Sequence, residues 1–170
     1  MQFEELKRLL VRQAELIVEL VRDVTPEQAR WKPDDDRWSV LEVVNHLYDE
    51  EQYDFRVRLD IILHTPDAPW PPIRPMEWVT ERRYNERDLE ASLENFLAER
   101  RASLAWLDGL DAPDWDTGVQ SPWDFIIRAG DMFTSWVVHD QWHIEQLVRL
   151  RRAYTIAQVA PYSVEYAGTL

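Results

Sequence analysis

The chain of 170 residues carries 32 acidic against 19 basic side chains, a formal net charge of −13, with 45% hydrophobic residues and no cysteine. This composition predicts one globular domain over residues 1–170 with a full-sized core. It opposes binding to phosphate backbones, which needs clustered Lys and Arg, and it removes disulfides, thiolate zinc sites and a cysteine nucleophile together. No apolar run is long enough to span a membrane and no basic-then-apolar leader starts at Met1, so the expectation is a cytoplasmic protein with a small-molecule substrate as its partner, bound to neither membrane nor nucleic acid.

From Phe3 to Val24, the residues Phe3, Leu6, Leu10, Ile17, Leu20 and Val24 recur at helical spacing, the stripe of an amphipathic helix. Thr25-Pro26-Glu27-Gln28 suits a short helical turn with proline at its first position, and Pro33 followed by three aspartates suits an exposed turn. A second helix is predicted from Ser39 to about Leu63, where Ser39 is the N-cap, Glu42 closes a capping box and Thr65-Pro66 stops the helix. The stretch Thr65 to Tyr84 holds five of the ten prolines and reads as a connector without a regular helix through Pro75. Helix two is nearly ~40 Å long and an extended connector reaches ~60 Å, so helices two and three are free to run parallel. Helix three is predicted from about Asn85 to Leu107. Ser121-Pro122-Trp123-Asp124 has the signature of the next helix start: N-cap, proline, first-turn acid. Beyond Arg152 the periodicity is lost, predicting an irregular tail over residues 153–170, and no strand is evident.

Within the last helix, W-V-V-H-D-Q-W-H sets His139 and His143 four residues apart, which puts both imidazoles on one helix face. His46, in W-S-V-L-E-V-V-N-H-L-Y-D-E-E, offers a third imidazole from a second helix. A buried histidine is ordinarily a packed core residue, so the pattern alone leaves core and ligand readings open. If the two helices pack face to face, the three rings can meet at metal–nitrogen bonds of ~2.0–2.1 Å and leave a position for water or substrate. Glu50, one turn on from His46, can approach the metal or hold its water, and Asp140 stands beside His139; both are candidate catalytic carboxylates. His64, the fourth histidine, suits an exposed helix end better than a ligand role. Trp136 and Trp142 read as packing residues.

The two segments resemble the signature of the DinB-like (DinB/YfiT) family of small metal-binding four-helix bundles. Trp38, Ser39, Glu42, His46 and Leu47 fit its W-S-x-x-E-x-x-x-H-L segment, and His139, Asp140, His143 and Gln146 fit its H-[DE]-x-x-H-x-x-Q segment. The resemblance implies an all-α four-helix bundle in up-down-down-up order with long crossover connections, His46, His139 and His143 as ligands of a divalent zinc, nickel or iron, and a homodimer. Characterised members of that family include transferases that use low-molecular-weight thiols, which makes a metal-dependent transferase activating a small external thiol the first expectation. A metal-dependent hydrolase and a non-catalytic metal- or ligand-binding stress protein are the alternatives. The H-D-Q-W-H string also looks like the H-E-x-x-H of zinc peptidases, but the shorter aspartate reaches less far than their glutamate. A ferritin-like di-iron bundle needs Glu-x-x-His pairs that are missing.

Overall fold

The computed structural model describes residues 3–168; the end of the predicted tail, Thr169 and Leu170, lies outside them. In chain order the helices are α1 (Phe3–Val21), α2 (Pro26–Arg30), α3 (Val40–Tyr53), α4 (Phe55–His64), α5 (Pro75–Glu81), α6 (Leu89–Asp108) and α7 (Ala129–Gln158), with strands β1 (Gly118–Gln120) and β2 (Ile126–Arg128) before α7. Their starts follow local chemistry. Thr25 accepts a hydrogen bond from Gln28 N at the head of α2 and Asp88 accepts one from Ala91 N at the head of α6. At α3 the capping box is complete, with Glu42 N donating to Ser39 Oγ at 3.1 Å and Ser39 N donating to Glu42 Oε2 at 2.8 Å, so two otherwise orphaned donors are satisfied.

Four long rods form the bundle: α1, the α3–α4 pair, α6 and α7. Their directions follow from which residues meet. Asn45 meets Ser92, and Glu51 meets Arg100 and Ser103, numbers that rise together, so α3 and α6 are parallel. Gln13 meets Val137 and the Leu20 carbonyl meets Arg151, so α1 and α7 are parallel too. His46 meets His143 while Glu51 meets Trp136, so α3 runs against α7. The order is up-down-down-up, as the length of the 65–88 connector permits.

Four boundaries differ from the sequence reading. Helix two is broken at Asp54, whose backbone (φ −116°, ψ −90°) leaves the helical region, and neither Gly nor Pro marks the spot. Helix three starts at Leu89, with Tyr84–Glu86 in a separate 3-10 turn. Ser121 begins no helix: its Oγ accepts from Trp123 N and Phe125 N, its N–H donates to the Phe125 carbonyl, and Asp124 takes φ 65°. The same Ser-Pro-x-Asp string thus closes the turn of the β1–β2 hairpin, the side-chain–backbone alternative that serine offers. The last helix continues past Arg152 to Gln158, so the irregular tail is shorter than predicted. In the connector, Pro75 is the first residue of α5, where a missing N–H costs nothing.

The core is two apolar halves with a polar layer between them. Leu10, Phe55, Leu59, Ile62, Phe133 and Trp136 belong to one half, and Ile17, Leu41, Leu47, Phe96, Leu147 and Leu150 to the other. Each side chain of this kind, fully buried, stabilises the fold by roughly 1.5–3 kcal/mol. Between Leu47 on α3 and Phe55 on α4 come the buried Asp49, Glu50, Glu51 and Asp54, and between Val137 and Leu147 on α7 come the buried Asp140 and the partly buried His139 and His143. Most of the buried charge of the chain is concentrated in that layer.

Candidate metal centre

The i,i+4 spacing on α7 and the antiparallel approach of α3 bring His46, His139 and His143 to one point. His139 Nε2 lies 3.2 Å from His46 Nε2 and 3.2 Å from His143 Nε2. Among the described residues, this is the one group of three or more His, Asp or Glu side chains whose ligand atoms all fall within 4.8 Å of one another. Trp38 covers the cluster from the head of α3, its ring 4.8 Å from His46 and stacked on His143 at 6.0 Å with 4° between the planes. Phe55, placed by the break at Asp54, backs His139 at 5.0 Å.

Three imidazoles so placed cannot satisfy one another. A neutral ring has one N–H and one lone pair, and a single Nε2 cannot serve two neighbouring Nε2 atoms. The Gln146 carbonyl oxygen, 2.8 Å from His143 Nδ1, accepts that proton and leaves His143 Nε2 as a lone pair. His46 Nδ1 and His139 Nδ1 are buried without a partner. Burial also keeps the rings neutral. It pushes His139 down to about 3, with His143 and the Arg100 charge acting in the same sense. His46 falls well below its ordinary value through burial and its two histidine neighbours, and His143 is lowered by burial against the Gln146 hydrogen bond.

These features fit a divalent cation. Ligands must be deprotonated, and these are. Two nitrogens on a tetrahedral ion with bonds of ~2.0–2.1 Å stand roughly 3.3–3.4 Å apart, close to the 3.2 Å separations here. The donor set is all imidazole and unlike a closed structural zinc site of four protein ligands.

The two carboxylates singled out in the sequence lie elsewhere. Glu50 Oε1 is 3.8 Å from His46 Nδ1, behind the ring and beyond hydrogen-bond length; burial, then the neighbouring Asp54, pushes Glu50 up to about 9. Asp140 is fully buried in an ion pair with Arg100 at 2.8 Å, and burial raises it to about 6 against the Arg100 charge. Arg100 also bonds Glu51 Oε1 through Nε at 2.8 Å and the Leu10 carbonyl at 2.9 Å, while Trp136 Nε1 and Ser103 Oγ donate to Glu51. Trp136 is therefore a packing residue tied to this network. Trp142 is 65% exposed, and His64 pairs with Asp60 at the exposed end of α4. Sequence reasoning missed Arg100 and Glu51, whose roles depend on contacts between distant helices, and the local pair Asp54 and Arg58, which meet at 2.8 Å across the helix break.

A four-helix bundle of this winding, with three converging histidines on its second and last rods, defines a class of candidate metal proteins. Residues 9–147 match the DinB superfamily, and the chain belongs to it. Its fold is that of YfiT from Bacillus subtilis, described as a probable metal-dependent hydrolase with an unusual four-helix bundle topology: the TM-score is 0.80 at 21% sequence identity, over 91% of this chain and 88% of that one. No functionally curated protein matches the chain in sequence. No helix among the described residues is long and apolar enough to cross a membrane.

Proposed function

We propose that the chain is a metal-dependent transferase, holding one divalent ion through His46, His139 and His143 and activating a small external thiol. The observation that carries this reading is the make-up of the cluster. Three neutral imidazoles converge with no carboxylate among them, since Glu50 faces the back of His46 and Asp140 is held by Arg100. With such ligands the ion would keep its full double positive charge, lowering the pKa of a bound thiol or water. Hydrolysis also calls for a positioned base beside the attacking water, whereas a thiol loses its proton on binding and needs none. A chain without cysteine offers no competing thiolate of its own. Asp140 serves the site indirectly here, fixing α7 through Arg100, while Glu50 lies behind His46 without a hydrogen bond to it.

Hydrolysis is the second reading, favoured by the description of YfiT. The test is to incubate metal-loaded protein with a chlorinated arene or an epoxide, with and without bacillithiol, mycothiol or glutathione, and with esters and amides without thiol. Thiol adducts absent from His46→Ala support transfer. Ester or amide turnover without thiol supports hydrolysis, and no turnover at full occupancy leaves a metal-holding binder. We also propose a homodimer, on the exposed Ile156, Tyr162, Val164 and Tyr166 after the last bundle turn. Light scattering that returns a mass near the 20.3 kDa of one chain removes the dimer.

A further inference from the structure

Two cavities share one exposed tryptophan, Trp142, beside the histidine cluster. The smaller, about 270 Å³, is walled by Phe55, Val138, His139 and Trp142, with Thr134 and Ser135 at its rim. The larger, about 450 Å³, runs past Trp38, Trp142 and Gln146 and is edged by Asp34, Arg37, Glu145 and Arg149. The first touches the cluster directly and the second reaches it through residues that contact His143. The His139 ring lines the first, and in the second Trp38 stacks on His143 while Gln146 bonds its Nδ1. Trp142 belongs to both and is 65% exposed.

The cavities differ in chemistry. No charged side chain lines the first, and its aromatic and aliphatic walls with a volume just below that of ordinary ligand pockets (~300–1,000 Å³) suit one apolar ring. The second carries two cations and two anions in adjacent pairs: Arg37 Nε is 3.9 Å from Asp34, and Arg149 pairs with Glu145 across one turn. A ligand of one charge sign would meet a like charge beside each partner. One carrying both an ammonium and a carboxylate can replace each half of such a pair, and exposed pairs exchange easily.

We propose that the mouth of the site is two-sided, taking a flat apolar group against Phe55 and His139 and an amino-acid-like zwitterion between Arg37 and Arg149, with Trp142 as the partition that keeps both next to the histidines. The proposal rests on the reading of the histidines as a metal centre, and it gives the transfer reaction its two substrate classes. A single-substrate hydrolase has no need of separate seats of opposite character.

The test uses two probes that do not react, 4-fluorotoluene followed by fluorine NMR and S-methylcysteine followed by the tryptophan indole resonances, the Trp142 signal being assigned with Trp142→Phe. Both probes should shift the Trp142 indole, and saturating one should change the affinity for the other by less than about twofold. Ser135→Trp, an exposed rim position, should weaken the aromatic probe about tenfold and leave the zwitterion alone. The double variant Arg37→Ala, Arg149→Ala should do the reverse. Mutual displacement, failure of either probe to bind, or variants that act on both probes alike overturns the proposal. Elemental analysis of the same samples separates it from the metal reading: probes seated side by side on a chain that takes no metal keep the two-sided mouth and discard the metal centre, whereas a metal-loaded chain that binds one probe at a time discards the mouth alone.

Discussion

Two polar clusters share the middle layer of this bundle, neighbours along α3 and α7, and they are built on opposite rules. Around Arg100 the charges are paired: two carboxylates, a carbonyl, an indole N–H and a hydroxyl come from four different helices, and Arg100 Nη2 and Asp140 Oδ2 meet their partners as ion pairs without hydrogen-bond geometry. Burial disfavours the guanidinium charge, but Glu51 and Asp140 outweigh it and hold the arginine above its ordinary value. Around His139 only one outer nitrogen, His143 Nδ1, is answered, by Gln146. Three like nitrogens face one another, and two of the Nδ1 atoms have no partner. A buried polar group left unpaired costs free energy, and a protein that pairs the charges of one cluster while three neutral rings converge in its neighbour has an arrangement that a bound cation would complete. The contrast separates scaffold from site more sharply than burial does, since both clusters are largely shielded from water.

The largest test of that contrast is to break the satisfied side. Arg100→Leu strands Glu51 and Asp140 in the core and should cost about 3–5 kcal/mol. At ~2–4 °C per kcal/mol for a domain of this size, the melting temperature of the metal-free protein should fall by roughly 6–20 °C. His143→Ala in the same metal-free protein should cost only about 1 kcal/mol, since it removes one of three competing nitrogens. Equal losses from the two substitutions, measured by calorimetry, would mean that both clusters are scaffold.

Next comes the reverse experiment, in which the open side is filled. Zinc at a hundred times its dissociation constant should stabilise the wild-type chain by ~2.7 kcal/mol, and His139→Ala with His143→Ala should abolish the gain. Full metal occupancy of that double variant by elemental analysis would remove the three-histidine centre altogether.

How much of this contrast was legible beforehand follows from the range of the interactions. The i,i+4 pair on α7 and the capping box at Ser39 are written within single helical turns, so spacing and residue type sufficed to find them. His46 could be named as the third ligand from its motif, but only the antiparallel approach of α3 puts its Nε2 at 3.2 Å from His139. The Arg100 network joins Leu10, Glu51, Ser103, Trp136 and Asp140, and no local pattern marks residues so far apart. The hairpin was misread because Ser-Pro-x-Asp serves a helix start and a serine-closed turn equally well. The break at Asp54 has no backbone signal of its own; the buried answer from Arg58 lies in the next helix turn.

A smaller effect concerns pH in the metal-free protein. The folded state holds His139 down at about 3, against an unfolded value near ~6.5. Above ~6.5 both states leave the ring neutral and its contribution is fully present. As pH falls from there toward about 3 the unfolded chain takes up a proton that the folded one refuses, and stability is lost at up to ~1.4 kcal/mol per pH unit. Subtracting the denaturation profile of His139→Ala from that of the wild type isolates this slope. A difference that is flat below pH ~6.5 would mean that the ring titrates freely and is not held neutral for a ligand.

The finest distinction turns on Gln146, which belongs to the open cluster yet is itself satisfied. Its carbonyl oxygen takes the Nδ1 proton of His143 at 2.8 Å, fixing which tautomer the ring adopts and where its lone pair points. Outer partners of this kind typically contribute 10–100-fold to metal affinity, and a partly exposed amide belongs at the low end, about tenfold or ~1.4 kcal/mol. Gln146→Ala should therefore weaken zinc by that factor in a competition titration while leaving the melting temperature of the metal-free protein nearly unchanged. Gln146→Glu, which keeps an acceptor at the same reach, should recover most of the loss. An equal fall in metal-free stability would place Gln146 with Arg100 as scaffold, and an unchanged affinity would mean that the His143 tautomer is set by the ion alone.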